Sequence, residues 1–81
     1  MNQEVGVEVG VHGRLIVQGG RARLCGSFGE SDPPACFGVR FAVGNWQKAE
    51  AVLTAESGEV RWTSEPVLLV GRLYQRTFIL S

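Results

Sequence analysis

Cys25, Cys36 and His12 are the side chains of this 81-residue sequence best suited to chemistry. A structural zinc site needs four ligands, commonly including a Cys-x-x-Cys pair, which this sequence lacks. A thiol nucleophile needs a base and a group that orients the base, and His12 is the only histidine. A lone histidine on the polar side of a strand is usually solvated. We therefore predict a Cys25–Cys36 disulfide, with two buried thiols as the alternative.

Acidic residues and glycines supply no second reactive group. Glu30 and Asp32 are close together in a turn-like segment, where paired acids commonly accept backbone hydrogen bonds or face solvent. Gly19 and Gly20 precede a strand pattern, whereas a phosphate-binding glycine loop precedes a helix. The sequence therefore predicts no catalytic residue, no metal site and no cofactor, and we interpret the chain as non-enzymatic.

Aromatic residues form the second group of candidates. They are Phe28, Trp46, Trp62 and Tyr74. Such side chains stack on bases or sugars when they share a surface, although tryptophan in a small domain more commonly fills the core. Together with arginines they give a predicted ligand-binding set of Trp46, Trp62, Tyr74, Arg61 and Arg72.

The charge balance argues against a strong overall field. Eight basic and eight acidic side chains give a formal net charge of +0, so nothing draws the whole chain to nucleic acid or to an anionic membrane. Residues 1–5 do not begin a signal peptide, and no apolar stretch reaches the length of a membrane span. We expect a soluble chain, a monomer or weak homodimer, whose partner is a protein or a small ligand rather than nucleic acid.

Alternation predicts a long first strand. Every second residue of the N-terminal segment is valine: Val5, Val7, Val9 and Val11. This is the period of a half-buried strand, and it resumes through residues 13–17, where glycine predicts a kink. Gly19-Gly20 predicts a two-residue hairpin, after which a second strand runs to Cys25.

Asp32-Pro33-Pro34 predicts a loop between the two cysteines, because proline donates no backbone hydrogen bond and restricts the residue before it. Cys25 would end one strand and Cys36 would precede the next. Neighbouring strands bring Cα atoms within the roughly 4.4–6.8 Å that a disulfide requires. Residues 37–43 alternate again and predict a third strand, with a core-facing set of Phe37, Val39, Phe41 and Val43.

The period becomes helical in residues 46–55, where Trp46, Ala49 and Leu53 share one face. We predict a helix that caps one end of a barrel, covers Trp46 or Leu53, and is ended by Ser57-Gly58. Residues 59–62 predict a short strand and residues 65–66 a turn. Residues 67–74 and 77–80 predict an antiparallel pair joined by a tight turn.

This order of elements predicts one domain over residues 1–81 that is mainly β. We expect a small five- to six-stranded antiparallel barrel, OB-like, with one short helix between strands 3 and 4. The OB fold is a five-stranded, partly open Greek-key barrel. A small β-sandwich is the alternative.

Several stretches resemble a group of small actinobacterial proteins that carry no assigned activity, many of which look like exported proteins or lipoproteins. The stretches are Arg23-Leu24-Cys25, the segment Glu-Ser-Asp-Pro-Pro-Ala-Cys at residues 30–36, Arg61-Trp62 and residues 66–71. The resemblance covers residues 13–80, and its characteristic element is Pro-Pro-x-Cys. The group differs from this chain at the positions of Asp32, Ala35 and Phe37. The resemblance implies a disulfide and an extracytoplasmic setting.

The leading hypothesis is a non-enzymatic binding or accessory module of the cell envelope. One alternative is an OB-type binder of single-stranded nucleic acid or oligosaccharide. Another is a small structural or regulatory subunit that assembles through a strand edge. The disulfide decides the compartment, because such bonds are rare in the cytosol. We expect an extracytoplasmic protein, with an export signal upstream of Met1, if the bond forms, and a cytoplasmic one otherwise.

Overall fold

The computed structural model describes residues 6–31 and 33–81, and this part of the chain is mainly β. Its elements are β1 (Val7–Gln18), β2 (Arg21–Phe28), β3 (Cys36–Val43), a 3₁₀ helix (Trp46–Val52), β4 (Ala55–Ser57), β5 (Val60–Trp62), β6 (Val67–Tyr74) and β7 (Thr77–Leu80). The predicted class, with one short helix after the third strand, is confirmed. Val5, predicted to belong to the first strand, lies outside the described residues.

The strands form one mixed sheet in the order β2-β3-β7-β6-β1-β5-β4. A further pairing between β1 and β2 closes a ring of five strands, β1, β2, β3, β7 and β6. The predicted antiparallel pairing of β6 with β7 is confirmed. The prediction of a wholly antiparallel sheet is wrong, because β7 runs parallel to β3. The other four pairings of the ring are antiparallel. In a ring of five strands, four antiparallel pairings leave the fifth pair, β3 and β7, running in the same direction.

The long first strand is confirmed, and it pairs with three other strands. Residues 7–13 of β1 pair with β6, residues 14–18 pair with β2, and residues 16–18 also pair with β5. Gly13 stands where the partner changes, and a Cβ there would lie 2.7 Å from the carbonyl oxygen of Cys25. Glycine therefore allows β1 and β2 to approach closely at this point.

The predicted two-residue hairpin after β1 is confirmed. Gly19 and Gly20 have φ values of 60° and 76°, which is the pair of left-handed conformations that a type I′ turn needs. Gln18 then pairs with Arg21, and the β1–β2 ladder continues from this pair.

The hydrophobic core lies inside the ring. Its buried members are Leu15, Val17, Ala22, Leu24, Val43, Ala49, Leu53, Leu69, Phe78 and Leu80. The helix contributes Ala49 to this core, and the predicted burial of Leu53, the residue after the helix, is confirmed. That the helix caps one end of a barrel stays a prediction. Within the described parts of the chain, no helix has the length and apolar character needed to cross a membrane.

The helix is shorter than predicted: it ends at Val52 rather than at residue 55. Residues 55–57 form β4, which pairs with β5, and Gly58 lies in the turn between these strands rather than at the end of a helix. Pairing with β5 therefore overrides the helical preference of this segment. Tertiary contacts commonly outweigh such weak local preferences.

The predicted burial of Phe37 and Val39 is wrong. Their relative exposures are 56% and 62%, whereas Val43 is buried. The β2–β3 register shifts between Cys25 and Ser27, so that Gly38 and Val39 together oppose the single residue Gly26. Gly38 has a φ of 78°, as a glycine bulge requires. One extra residue in a strand reverses the faces of the side chains beyond it, and this turns Phe37 outward. Val39 keeps the side of Phe41, with which it lines a small open cavity beside Leu24.

Gly71 gives a test of the ring closure. A Cβ at Gly71 would collide with the backbone carbonyl of Ile79 on β7, so Gly71→Ala is expected to lower the unfolding free energy by about 1–3 kcal/mol. Gly10→Ala is the matched control, since its Cβ would lie 3.3 Å from the flexible end of Leu68. Urea denaturation should place this control within about 1 kcal/mol of the wild type. Equal costs for the two variants would contradict the observed β6–β7 approach.

Candidate functional site

Cys25 and Cys36 form a disulfide that bends the β2–β3 hairpin. Cys36 pairs with Phe28 of β2. Phe28 is three residues beyond Cys25, and in a straight strand this would separate their Cα atoms by about 10 Å. The Cα atoms of the two cysteines are only 5.5 Å apart, so the hairpin turns back sharply at the bulge. Cys25 lies within β2 rather than at its end, where the sequence placed it.

The bent hairpin builds a second hydrophobic cluster outside the ring. Ile16, Cys25 and Val60 are its buried members, and Phe28, Cys36 and Trp62 pack against them. Alternation in β1 points Ile16 away from Leu15 and Val17 of the core. The disulfide therefore holds the tip of the hairpin against the outer side of β1 and β5.

A cavity of about 410 Å³, the Arg14 cavity, opens beside this cluster. Its lining residues are Arg14, Phe28, Gly29, Glu30, Ser31, Pro34, Glu56 and Trp62. Arg14 Nη2 donates hydrogen bonds to the carbonyl oxygens of Thr63 at 3.1 Å and Ser64 at 2.8 Å. The guanidinium carbon lies 4.4 Å from the centre of the Phe28 ring. Arg14 Nε is buried and has no hydrogen-bond partner among the described residues.

A larger cavity of about 600 Å³, the Trp46 groove, lies where β2 begins and β3 ends. Its lining residues are Gln18, Gly20, Arg21, Ala22, Arg23, Ala42, Val43, Gly44, Trp46 and Gln47. The indole Nε1 of Trp46 donates a hydrogen bond of 3.3 Å to the carbonyl oxygen of Gly20. This contact fixes the aromatic ring beside Arg21 and Arg23. The groove has the volume of an ordinary ligand site.

Three arginines share the outward side of β2 and β3. Arg21 and Arg23 are exposed and alternate with buried Ala22 and Leu24, so they point away from the core. Cys25, the next residue on that side, pairs with Arg40, and directly paired residues lie on the same side of a sheet. We call Arg21, Arg23 and Arg40 the arginine face. Neither strand contains an acidic residue.

The five residues of the predicted ligand-binding set are not brought together. Trp46 lines the groove and Trp62 lines the Arg14 cavity. Arg61 forms a 3.0 Å ion pair with Glu50 of the helix. Arg72 Nη1 donates a hydrogen bond of 2.7 Å to the carbonyl oxygen of Gly6, and a Cβ at Gly6 would meet the ring of Tyr74. Arg72 and Tyr74 lie on β6, which is not adjacent to β2 or β3 in the sheet.

The remaining candidates for chemistry are also separated. His12 is exposed on β1 and pairs with Leu68, and Cys25 is held in the disulfide. In residues 6–31 and 33–81, no group of three or more His, Cys, Asp or Glu side chains is placed to hold a metal ion. Asp32 lies outside the described residues, so its predicted proximity to Glu30 stays a prediction.

Sequence reasoning missed the arginine face and the role of Arg14. A signal was present, because residues 9–29 and 33–49 contain arginine and lysine but no acidic residue. The net charge of +0 conceals this segregation. Comparison with known protein families, with curated proteins and with solved structures gives no match for this chain. Function is therefore argued from the two cavities and the arginine face.

Proposed function

We propose that this protein is a non-enzymatic binding module that holds an extended anionic ligand on the arginine face and in the Trp46 groove. The observation that carries the proposal is the placing of Arg21, Arg23 and Arg40 on one outward side of two strands without acidic residues. Arg21 and Arg23 are two residues apart on one strand, which separates their Cα atoms by about 6.6 Å. Such a row of guanidinium groups suits several anionic groups along one chain.

An OB-type barrel is the architecture that we propose for this module. The ring of five strands and the helix after the third strand support it. OB proteins bind oligonucleotides and oligosaccharides on their second and third strands and on the loop between the first two. The arginine face and the Gly19-Gly20 turn occupy these places, so the fold and the charge distribution favour the same surface.

The cell envelope is the compartment that we propose. The Cys25–Cys36 disulfide supports it, because disulfides persist in oxidising compartments and are rare in the cytosol. The resemblance to exported actinobacterial proteins has the same implication. An anionic polymer of the envelope would then be the natural ligand.

Single-stranded nucleic acid is the competing ligand. Its binders combine a basic groove with several aromatic side chains on which successive bases stack. The groove offers one such ring, Trp46, while the outward partners of the arginines are Cys25 and Ala42. The geometry therefore favours recognition of anionic groups over recognition of bases.

Titration with inorganic polyphosphate and with oligothymidylate at two salt concentrations tests the proposal. If the three arginines each neutralise one anionic group, affinity for either polymer should fall about 20-fold between about 50 and 200 mM salt. Arg23→Gln should flatten the logarithmic salt dependence by about 0.7. Polyphosphate should bind at least as tightly as oligothymidylate, because base stacking contributes little here.

Arg61→Gln is the matched control. It removes the same charge from β5, where Arg61 is paired with Glu50 of the helix, and it should leave both affinities unchanged. Much tighter binding of oligothymidylate than of polyphosphate would favour the nucleic-acid alternative. Equal losses in Arg23→Gln and Arg61→Gln, or no binding of either polymer, would contradict the proposed surface.

A further inference from the structure

We propose that the Arg14 cavity is a second ligand site, which binds a small zwitterion of the amino-acid class. The site would hold the ligand's carboxylate near Arg14, its ammonium group near Glu30 and Glu56, and its apolar side chain against Trp62. All four residues line the same cavity of about 410 Å³. This inference does not rest on the proposed function, since none of these residues belongs to the arginine face or the Trp46 groove.

Arg14 is held in place as a residue that binds a carboxylate must be. Its Nη2 atom is committed to the carbonyl oxygens of Thr63 and Ser64, and the ring of Phe28 stacks on the guanidinium. These contacts fix its orientation. Because Nε is buried, the nitrogen left for a ligand is Nη1, which has no hydrogen-bond partner among the described residues. An oriented guanidinium with free donors is well suited to a carboxylate.

Glu30 and Glu56 explain why a simple anion would not suit this cavity. Both line it, and neither forms an ion pair or hydrogen bond within residues 6–31 and 33–81. An anion alone would be repelled by two carboxylates, and a cation alone would be repelled by Arg14. A ligand that carries both charges satisfies both groups, and the ring of Trp62 adds an apolar and cation-binding surface.

The disulfide couples this site to the oxidation state of the protein. Glu30 belongs to the loop at the tip of the β2–β3 hairpin, and the disulfide holds that tip against β1. Reduction should therefore remove one wall of the Arg14 cavity. The Trp46 groove lies at the opposite end of β2, so reduction should leave it intact in protein that remains folded.

The two tryptophans are separate reporters, because Trp62 lines the Arg14 cavity and Trp46 lines the groove. We would titrate the oxidised protein with L-phenylalanine and follow the indole N–H signals in ¹⁵N–¹H spectra. L-Phenylalaninamide, which lacks the carboxylate, and 3-phenylpropionate, which lacks the ammonium group, are the matched probes. L-Phenylalanine should shift the Trp62 signal and leave that of Trp46 in place. Each analogue should bind about 10–100-fold more weakly, because it loses a charge-assisted hydrogen bond.

Glu56→Gln should weaken L-phenylalanine binding about tenfold, the effect of one charge-assisted contact. Glu59→Gln, two residues beyond β4 in the adjacent turn, is the control and should bind normally. Arg14→Lys should also weaken binding, and Glu56→Gln keeps the test valid if that variant fails to fold.

A shift of Trp46 alone, the absence of any Trp62 shift, or an analogue that binds as tightly as L-phenylalanine would overturn the proposal. The polyanion titration is read at the groove, so failure of one proposal leaves the other measurable.

Discussion

Reduction of the Cys25–Cys36 disulfide is expected to lower the melting temperature of this protein by about 12–24 °C. The bond joins residues 11 positions apart, and closing such a loop restricts the unfolded chain by about 3 kcal/mol. Each kcal/mol moves the melting temperature of a domain of this size by about 4–8 °C. At about 0.05–0.15 kcal/mol per residue, the whole chain has about 4–12 kcal/mol of stability. The disulfide therefore accounts for a large share of it.

Circular dichroism melting with and without reductant measures this effect. The double variant Cys25→Ala, Cys36→Ala is the control, and it should melt at the lower temperature and show no response to reductant. Alkylation of the unfolded, non-reduced protein followed by mass spectrometry checks the bond itself. Labelling of both cysteines in that experiment would contradict the disulfide and would also remove the main support for an envelope location.

Most strands were predictable because their signals are local. Alternation marks β1. The pair Gly19-Gly20 predicts the turn after it, because glycine readily adopts the positive φ values that a two-residue hairpin turn needs. The β6–β7 pair follows from the same logic, since two apolar segments separated by a tight turn have no other way to pair. The disulfide was predictable because the sequence contains only two cysteines on either side of a proline loop.

The errors arise where distant contacts decide. The bulge opposite Gly26 depends on how β2 meets β3, and it exposes Phe37 although the alternation of residues 37–43 is intact. The parallel pairing of β7 with β3 joins residues that are far apart in the sequence, such as Val43 and Phe78. β4 forms in a segment of helix-favouring residues because β5 offers it a partner.

The candidate sites depend on the same distant contacts. Arg21 and Arg23 are visibly two residues apart, but Arg40 joins their side only through the β2–β3 register. Arg14 and Trp62 meet in one cavity because β1 and β5 are neighbours. A list of aromatic and basic residues taken from the sequence therefore mixes members of several surfaces.

Phe78→Ala is expected to cost about 3–5 kcal/mol of unfolding free energy, the usual effect of removing a buried phenylalanine side chain. Phe78 has a relative exposure of 0% and pairs with Val43 on one side and Leu73 on the other. It therefore fills the core at the place where the ring of strands closes. A loss of this size takes at least about a quarter of the roughly 4–12 kcal/mol that a chain of this length has, and all of it at the lower end of that range.

Phe37→Ala is the matched control, because the alternation of residues 37–43 predicts a buried Phe37 and the structure exposes it. We expect this variant to stay within about 0.5 kcal/mol of the wild type, as exposed substitutions usually do. Urea denaturation of both variants compares the two losses of unfolding free energy directly, when one m value, the slope of that free energy against urea concentration, is used for both. If Phe37→Ala proved as costly as Phe78→Ala, β3 would run without the bulge at Gly38. Phe37 would then face the core, and the bend that brings Cys36 to Cys25 would lose its cause.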